Sequence, residues 1–209
     1  SSGRFLSPAV GAGTANVEFE VMTGMSVRFF GPGEYPHKSL LGETVCESVA
    51  YDLKNIGYFT HAIHNHRATF YGRNQVFANL GFDTFTSVEY MNKVNRTPKN
   101  WAKDYVLTQQ VTDALKATKG PDYIYTISVE GHGAYPEEKV LEDPGITVER
   151  SPSEETKYAW EYYVNQLNEM DEFIDELIKK LKVYDEDIVL VIYGDHLPNL
   201  PDIDRKSVV

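Results

Sequence analysis

The chain of 209 residues has one cysteine, Cys46, so no internal disulfide can staple it. No run of 18 or more apolar residues occurs, which predicts that this stretch neither spans a membrane nor carries a signal peptide. Positive charge is scarce, 20 Lys and Arg against 31 Asp and Glu, and the net charge of −11 argues against a nucleic-acid backbone as partner. An anionic substrate would have to be met by cations gathered at its own site. Repeats and low-complexity tracts are also missing. What remains is an ordinary globular balance, 42% hydrophobic and 24% charged residues, enough for one sizeable core in one domain over residues 1–209. Cys46 falls in a helical pattern and reads as a buried, unreactive thiol.

Helical and strand patterns alternate along the chain. Gly11-Ala12-Gly13 opens a predicted helix from Thr14 to about Thr23. Val45, Val49, Leu53 and Ile56 share one helical face, stopped by Gly57. Tyr58–Ile63 reads as a strand leading into the polar turn His64-Asn65-His66-Arg67. A short helix is expected around Asn74–Leu80, a strand at Phe82–Phe85, and a helix from Trp101 to Ala117. Tyr123–Val129 reads as a buried strand ending in Glu130-Gly131-His132. Ser151-Pro152-Ser153-Glu154 offers a cap, a first-turn proline and a capping-box acid for a long amphipathic helix through Leu181. Such alternation predicts an α/β fold, a mostly parallel sheet with helices on both faces.

The run Asp187-Ile188-Val189-Leu190-Val191-Ile192-Tyr193 reads as a strand buried on both faces, and it leads into Gly194-Asp195-His196. Open α/β sheets collect ligands outside the carboxyl ends of their strands. A carboxylate beside an imidazole there suits Zn, Mn or a similar ion. His64, His66 and His132 also lie just past predicted strands. Any one of them reads first as a tolerated turn histidine; the set, converging on one sheet edge, reads as a site.

Thr14 stands after two glycines at a predicted helix start. Threonine caps helices well, and that is its default role. The same free N–H groups and positive dipole end also suit a phosphate, and a divalent cation can promote loss of the hydroxyl proton for nucleophilic attack. Arg73 is a surface arginine by default and a fork for phosphoryl oxygens otherwise. Tyr71 either packs over a substrate or belongs to the core. The Asn95-Arg96-Thr97 sequon carries little weight, and Glu137, Glu138, Glu142 and Asp143 read as a solvated loop.

Taken in order, Gly13-Thr14-Ala15-Asn16-Val17-Glu18-Phe19, Phe70-Tyr71-Gly72-Arg73, Gly131-His132 and Tyr193-Gly194-Asp195-His196 resemble lipoteichoic acid synthase-like proteins of the sulfatase branch of the alkaline phosphatase superfamily. The resemblance covers nearly the whole chain. It implies a bacterial enzyme held in the cell membrane by N-terminal spans outside this stretch, with its catalytic domain outside the cell. It further implies Mn²⁺, or another divalent ion such as Mg²⁺ or Zn²⁺, and transfer of glycerol phosphate from phosphatidylglycerol to a teichoic acid polymer or glycolipid through a phosphothreonine. Carried onto this chain, Thr14 would be nucleophile and metal ligand, with Asp195 and His196 as further ligands. Arg73, His132, Tyr71, His64 and His66 would contact the substrate.

The pattern departs from the family in two places. Its glutamate ligand upstream of the threonine has no counterpart, since no acid precedes Thr14, and Tyr71-Gly72 stands where the synthases usually carry tryptophan and asparagine. The abrupt start and the end soon after Asp195-His196 lead us to expect a piece of a longer protein truncated on both sides. A sulfatase or phosphoethanolamine transferase on the same fold is the second enzyme reading, and a catalytically silent envelope-binding module is the reading from another class.

Overall fold

The structure, a computed structural model, describes residues 2–203. Helix α1 spans Thr14–Thr23, where the glycine pair placed it. Its cap residue Gly13 has φ of 114°, and a Cβ there would lie 3.1 Å from that of Ala9, so glycine is required twice over. Pro36–Ser39 forms the single turn α2, and α3 covers Val49–Asn55. The Ser48 hydroxyl starts α3 by accepting from the amides of Ala50 and Tyr51. The apolar face predicted from Val45 is therefore shorter than expected: Val45 and Ile56 are exposed. Cys46 lies in the connection before α3 rather than in a helix, half-buried against the core, and burial raises its thiol pKa.

Three parallel strands, β1 (Phe59–His64), β2 (Thr84–Ser87) and β3 (Asp122–Ile127), pair in the order β2-β1-β3. Helix α4 (Arg73–Asn79) joins β1 to β2, and α5 (Val106–Ala117) joins β2 to β3. Successive side chains of a strand point to opposite faces, and β1 follows the rule. Ala62 enters a cluster with Phe19, Met22, Ala50, Val76 and Phe77, from α1, α3 and α4. Ile63 enters the other, with Leu107 and Val111 of α5 and Phe173, Leu177 and Leu181 of α6 (Glu154–Leu181). Helices thus cover both faces, as the alternation predicts.

Several boundaries move: β2 lies two residues later than the predicted Phe82–Phe85, and β3 ends at Ile127 rather than Val129. The helix predicted from Trp101 begins at Val106, because residues 95–102 fold back on themselves through an Arg96–Ala102 bridge and a Thr97 amide to Trp101 carbonyl bond of 2.8 Å. The cap of α6 is Ser153, whose hydroxyl accepts from Thr156 N at 3.1 Å, so Pro152 precedes the cap.

One element differs in kind. Asp187–Tyr193 forms no ladder among the described residues, and its side chains are largely exposed, Val189 at 90%. An apolar run records what a segment prefers to bury. Becoming a strand also needs a hydrogen-bonded neighbour and two covering layers. The run is tied at its end, where the Tyr193 and Tyr125 hydroxyls lie 3.0 Å apart and Phe5 packs on the Tyr193 ring. Among the described residues, no helix is long and apolar enough to cross a membrane.

Candidate active site

The Asp195-His196 turn keeps its place without a strand before it. Val10 bridges Leu197 in parallel, Gly11 N donates to Leu197 O at 3.0 Å, and the Ser7 hydroxyl donates to the Asp195 carbonyl. The same N-terminal segment runs on into Gly13 and α1. That shared scaffold brings the Thr14 hydroxyl 2.5 Å from Asp195 Oδ2, across 181 residues of sequence. His196 N donates to Asp195 Oδ1 at 2.8 Å. His196 Nδ1 lies 3.0 Å from Leu197 O; a carbonyl only accepts, so the proton is assigned to Nδ1 and the lone pair to Nε2. That Nε2 is 3.6 Å from Asp195 Oδ2.

Thr14 Oγ1, Asp195 Oδ2 and His196 Nε2 are donors of the kind a divalent cation takes, although Thr14 and Asp195 are in direct hydrogen-bond contact at 2.5 Å. Bond lengths near 2.0–2.2 Å place neighbouring ligand atoms about 3–3.5 Å apart, close to the Asp195–His196 spacing. Two oxygens and one imidazole nitrogen suit Mn²⁺, Mg²⁺ or Zn²⁺ in that geometry. No group of three or more His, Cys, Asp or Glu that could hold a metal ion gathers among the described residues.

One turn along α1, Glu18 shares the face of Thr14. It is fully buried and accepts from Arg73 Nε at 3.1 Å and from Arg73 Nη2, with His37 Nε2 2.9 Å away. Burial pushes the Glu18 carboxyl up, but the Arg73 charge and the His37 bond outweigh it and hold the group well below the carboxylate range. Arg73 is therefore no surface residue: Nε and Nη2 are spent on Glu18, and Nη1 points to the Phe70 carbonyl at 3.4 Å. Tyr71 adopts a left-handed φ of 57° and packs between the Tyr35 ring and the Arg73 guanidinium, 5.3 Å from its centroid. A bulky residue held there stores strain.

The histidines past β1 and β3 form one row. His64 and His66 lie 5.8 Å apart, His66 packs 5.6 Å from Trp101, Trp101 4.5 Å from His132, and His132 6.2 Å from His196. His64 is buried and donates through Nδ1 to Ile127 O at 2.9 Å. Burial first, and the Arg73 charge second, push its pKa down to about 3. His66 is also lowered, by burial and then Arg73, and its Nδ1 is buried without a hydrogen-bond partner. Both rings are thus neutral at physiological pH. A cleft of about 530 Å³ opens beside His132 and His196, walled by Gly11, Tyr135, Glu137 and Asn199.

Glu18, Trp101 and Asp104 escaped the sequence reading. Glu18 had a signal, its position four residues after Thr14. Trp101 and Asp104 fall within the helix predicted from Trp101, and the loop they form before Val106 carries no signal of its own.

The family described as Sulfatase matches residues 1–207, and the chain belongs to that family. A putative cyclic beta-1,2-glucan modification protein of Rhizobium meliloti (strain 1021) is 30% identical over 198 residues, covering 95% of this chain and 30% of that protein. Lipoteichoic acid synthase of Staphylococcus saprophyticus is 29% identical over 178 residues, 82% of this chain and 26% of the synthase. The chain therefore spans less than a third of these curated relatives. In fold it is similar to the Streptococcus pyogenes phosphoglycerol transferase GacH, solved with sn-glycerol-1-phosphate: TM-score 0.77, 21% identity, 93% of this chain and 51% of that one.

Proposed function

We propose that this chain forms the catalytic centre of a metal-dependent phosphoglycerol transferase, working outside a bacterial cell membrane on phosphatidylglycerol as donor. The contact between Thr14 and Asp195 carries the reading: a hydroxyl at a helix start meets a carboxylate from the far end of the chain, with an imidazole lone pair alongside. Thr14, Asp195 and His196 would hold the cation, Mn²⁺ in the first instance, which supplies Lewis acidity toward the hydroxyl and the phosphoryl oxygens.

Thr14 Oγ attacks phosphorus in line, its proton directed toward Asp195 Oδ2, and the bond from phosphorus to the diacylglycerol oxygen breaks. The oxygen that leaves takes up a proton, for which His132 at the mouth of the cleft is the nearest donor type. An acceptor hydroxyl then attacks the phosphothreonine and loses its proton to the same imidazole, while the departing Thr14 oxygen takes its proton back from Asp195. Arg73 Nη1 and Tyr71 flank the glycerol phosphate, and the neutral His64 and His66 offer hydrogen bonds without adding charge. A teichoic acid polymer or glycolipid is the acceptor class, and the glucan-modifying relative supports a sugar hydroxyl.

The test uses the full-length protein with Mn²⁺, fluorescent phosphatidylglycerol and, in parallel, an aryl sulfate. The expected result is diacylglycerol release that Thr14→Ala lowers by about a thousandfold or more. Hydrolysis of the sulfate with the lipid untouched would transfer the site to the sulfatase reading. Turnover of neither, with full cellular function of Thr14→Ala, would leave a silent binding module.

A further inference from the structure

Two turns carry the histidine row: residues 64–66 past β1 and residues 130–132 past β3. Sheet pairing holds His64 but ends there and at Ile127, so the turns that carry His66 and His132 run beyond it. They are joined instead through one buried carboxylate from the loop before α5. Asp104, with no exposed surface, accepts from Asn65 Nδ2 at 2.7 Å on one side. On the other it accepts from the amides of Val129 at 2.9 Å and Glu130 at 3.2 Å. Its own amide donates back to Glu130 Oε2 at 2.7 Å, closing a reciprocal pair. Asn65 lies between His64 and His66, and Glu130 lies two residues before His132. Trp101, three residues upstream of Asp104, is the ring between His66 and His132.

We propose that Asp104 is a positioning residue that locks the two histidine-bearing turns and Trp101 into one frame, fixing His66 and His132 where the phosphoglycerol group must sit. The inference rests on the proposed function for the last clause; the locking itself is a property of the fold. Asp104 touches none of Thr14, Asp195 or His196 in the contacts described above. Its loss should therefore open the histidine row while sparing the cation. Asn65 Nδ2 keeps the Ala102 carbonyl at 3.2 Å, but the amides of Val129 and Glu130 would be left without an acceptor in a buried place, so the turns would part to reach water.

The experiment measures diethylpyrocarbonate labelling of each histidine by peptide mass mapping in the full-length protein. Asp104→Ala is expected to speed labelling of His66 and His132 by about tenfold, with the buried His37 and His61 unchanged as reporters of the global fold. Asp104→Asn keeps an oxygen in the same place and should restore most of the protection. In the same samples, Asp104→Ala should weaken sn-glycerol-1-phosphate by about tenfold and leave Mn²⁺ affinity within about twofold. Unchanged labelling at His66 and His132, or an equal rise at His37 and His61, overturns the proposal. A wild-type protein that shows the labelling pattern but binds no glycerol phosphate overturns the functional reading and leaves the locking role standing.

Discussion

At the scale of single residues, the buried Glu18 decides what Arg73 can do. An arginine with a free fork would clamp a phosphoryl group with two parallel bonds. Here two of its nitrogens are committed to Glu18 and the third reaches the Phe70 carbonyl, in a side chain that is almost fully buried. Removing the carboxylate strands a guanidinium in the interior, and Glu18→Gln should lower unfolding free energy by about 3–5 kcal/mol, read from urea denaturation. A loss below about 1 kcal/mol would mean that Arg73 finds another partner at no cost. His37, on the same carboxylate, has a buried Nδ1 with no hydrogen-bond partner, so the triad has little slack to rearrange.

At the scale of elements, the start of α1 is the junction that matters. Gly13 sits in a left-handed conformation that a β-carbon disfavours and against Ala9, which leaves no room for one. Gly13→Ala should cost about 1–2 kcal/mol and shift Thr14 relative to Asp195. Isothermal titration with Mn²⁺ would show the shift as weaker binding, and equal affinity would show that the helix start adapts. The order of elements was legible in the sequence because hydrophobic periodicity is local and so are glycine and serine boundaries. The same holds for where Thr14, His64, His132 and Asp195 stand along the chain, each at the end of a periodic segment.

Contacts between distant segments were not legible. Arg73 reads as a solvated fork until Glu18, 55 residues away in sequence, is seen to hold it. Asp104 reads as one polar residue of a helix predicted from Trp101 until Asn65 and Val129 converge on it. The run before Asp195 misled for the opposite reason. Its composition describes a buried strand correctly as a preference, and composition cannot supply the neighbour that would bury it.

At the scale of the molecule, two buried groups set opposite pH dependences. His64 is neutral in the fold with a pKa of about 3 against an ordinary 6.5. The unfolded chain binds the extra proton first, so stability owed to His64 is intact above pH 6.5 and drains as pH falls toward 3. Burial raises Glu130 to about 8, opposed by the Asp104 amide and reinforced by Glu169. Its contribution therefore runs the other way, present below the ordinary 4.5 and lost as pH climbs through 8. Lys103, 4.0 Å from Glu130 Oε1 and paired with Glu169, only partly offsets this. Glu130→Gln removes the titration and should raise stability by about 2 kcal/mol near pH ~9, with little change near pH ~5. Urea midpoints at the two pH values decide it, and an equal effect at both would remove Glu130 from the account.

The bond between Thr14 and Asp195 also bears on when the protein becomes competent. Its two partners are 181 positions apart, so no nascent chain can assemble the centre until nearly all of this stretch has left the ribosome. A polypeptide interrupted after β3 and before Asp195 would hold all three strands and still lack the Thr14–Asp195 contact. Assembly of the Thr14–Asp195 contact is in that way deferred until this stretch is nearly all made, with no separate inhibitor needed to delay it.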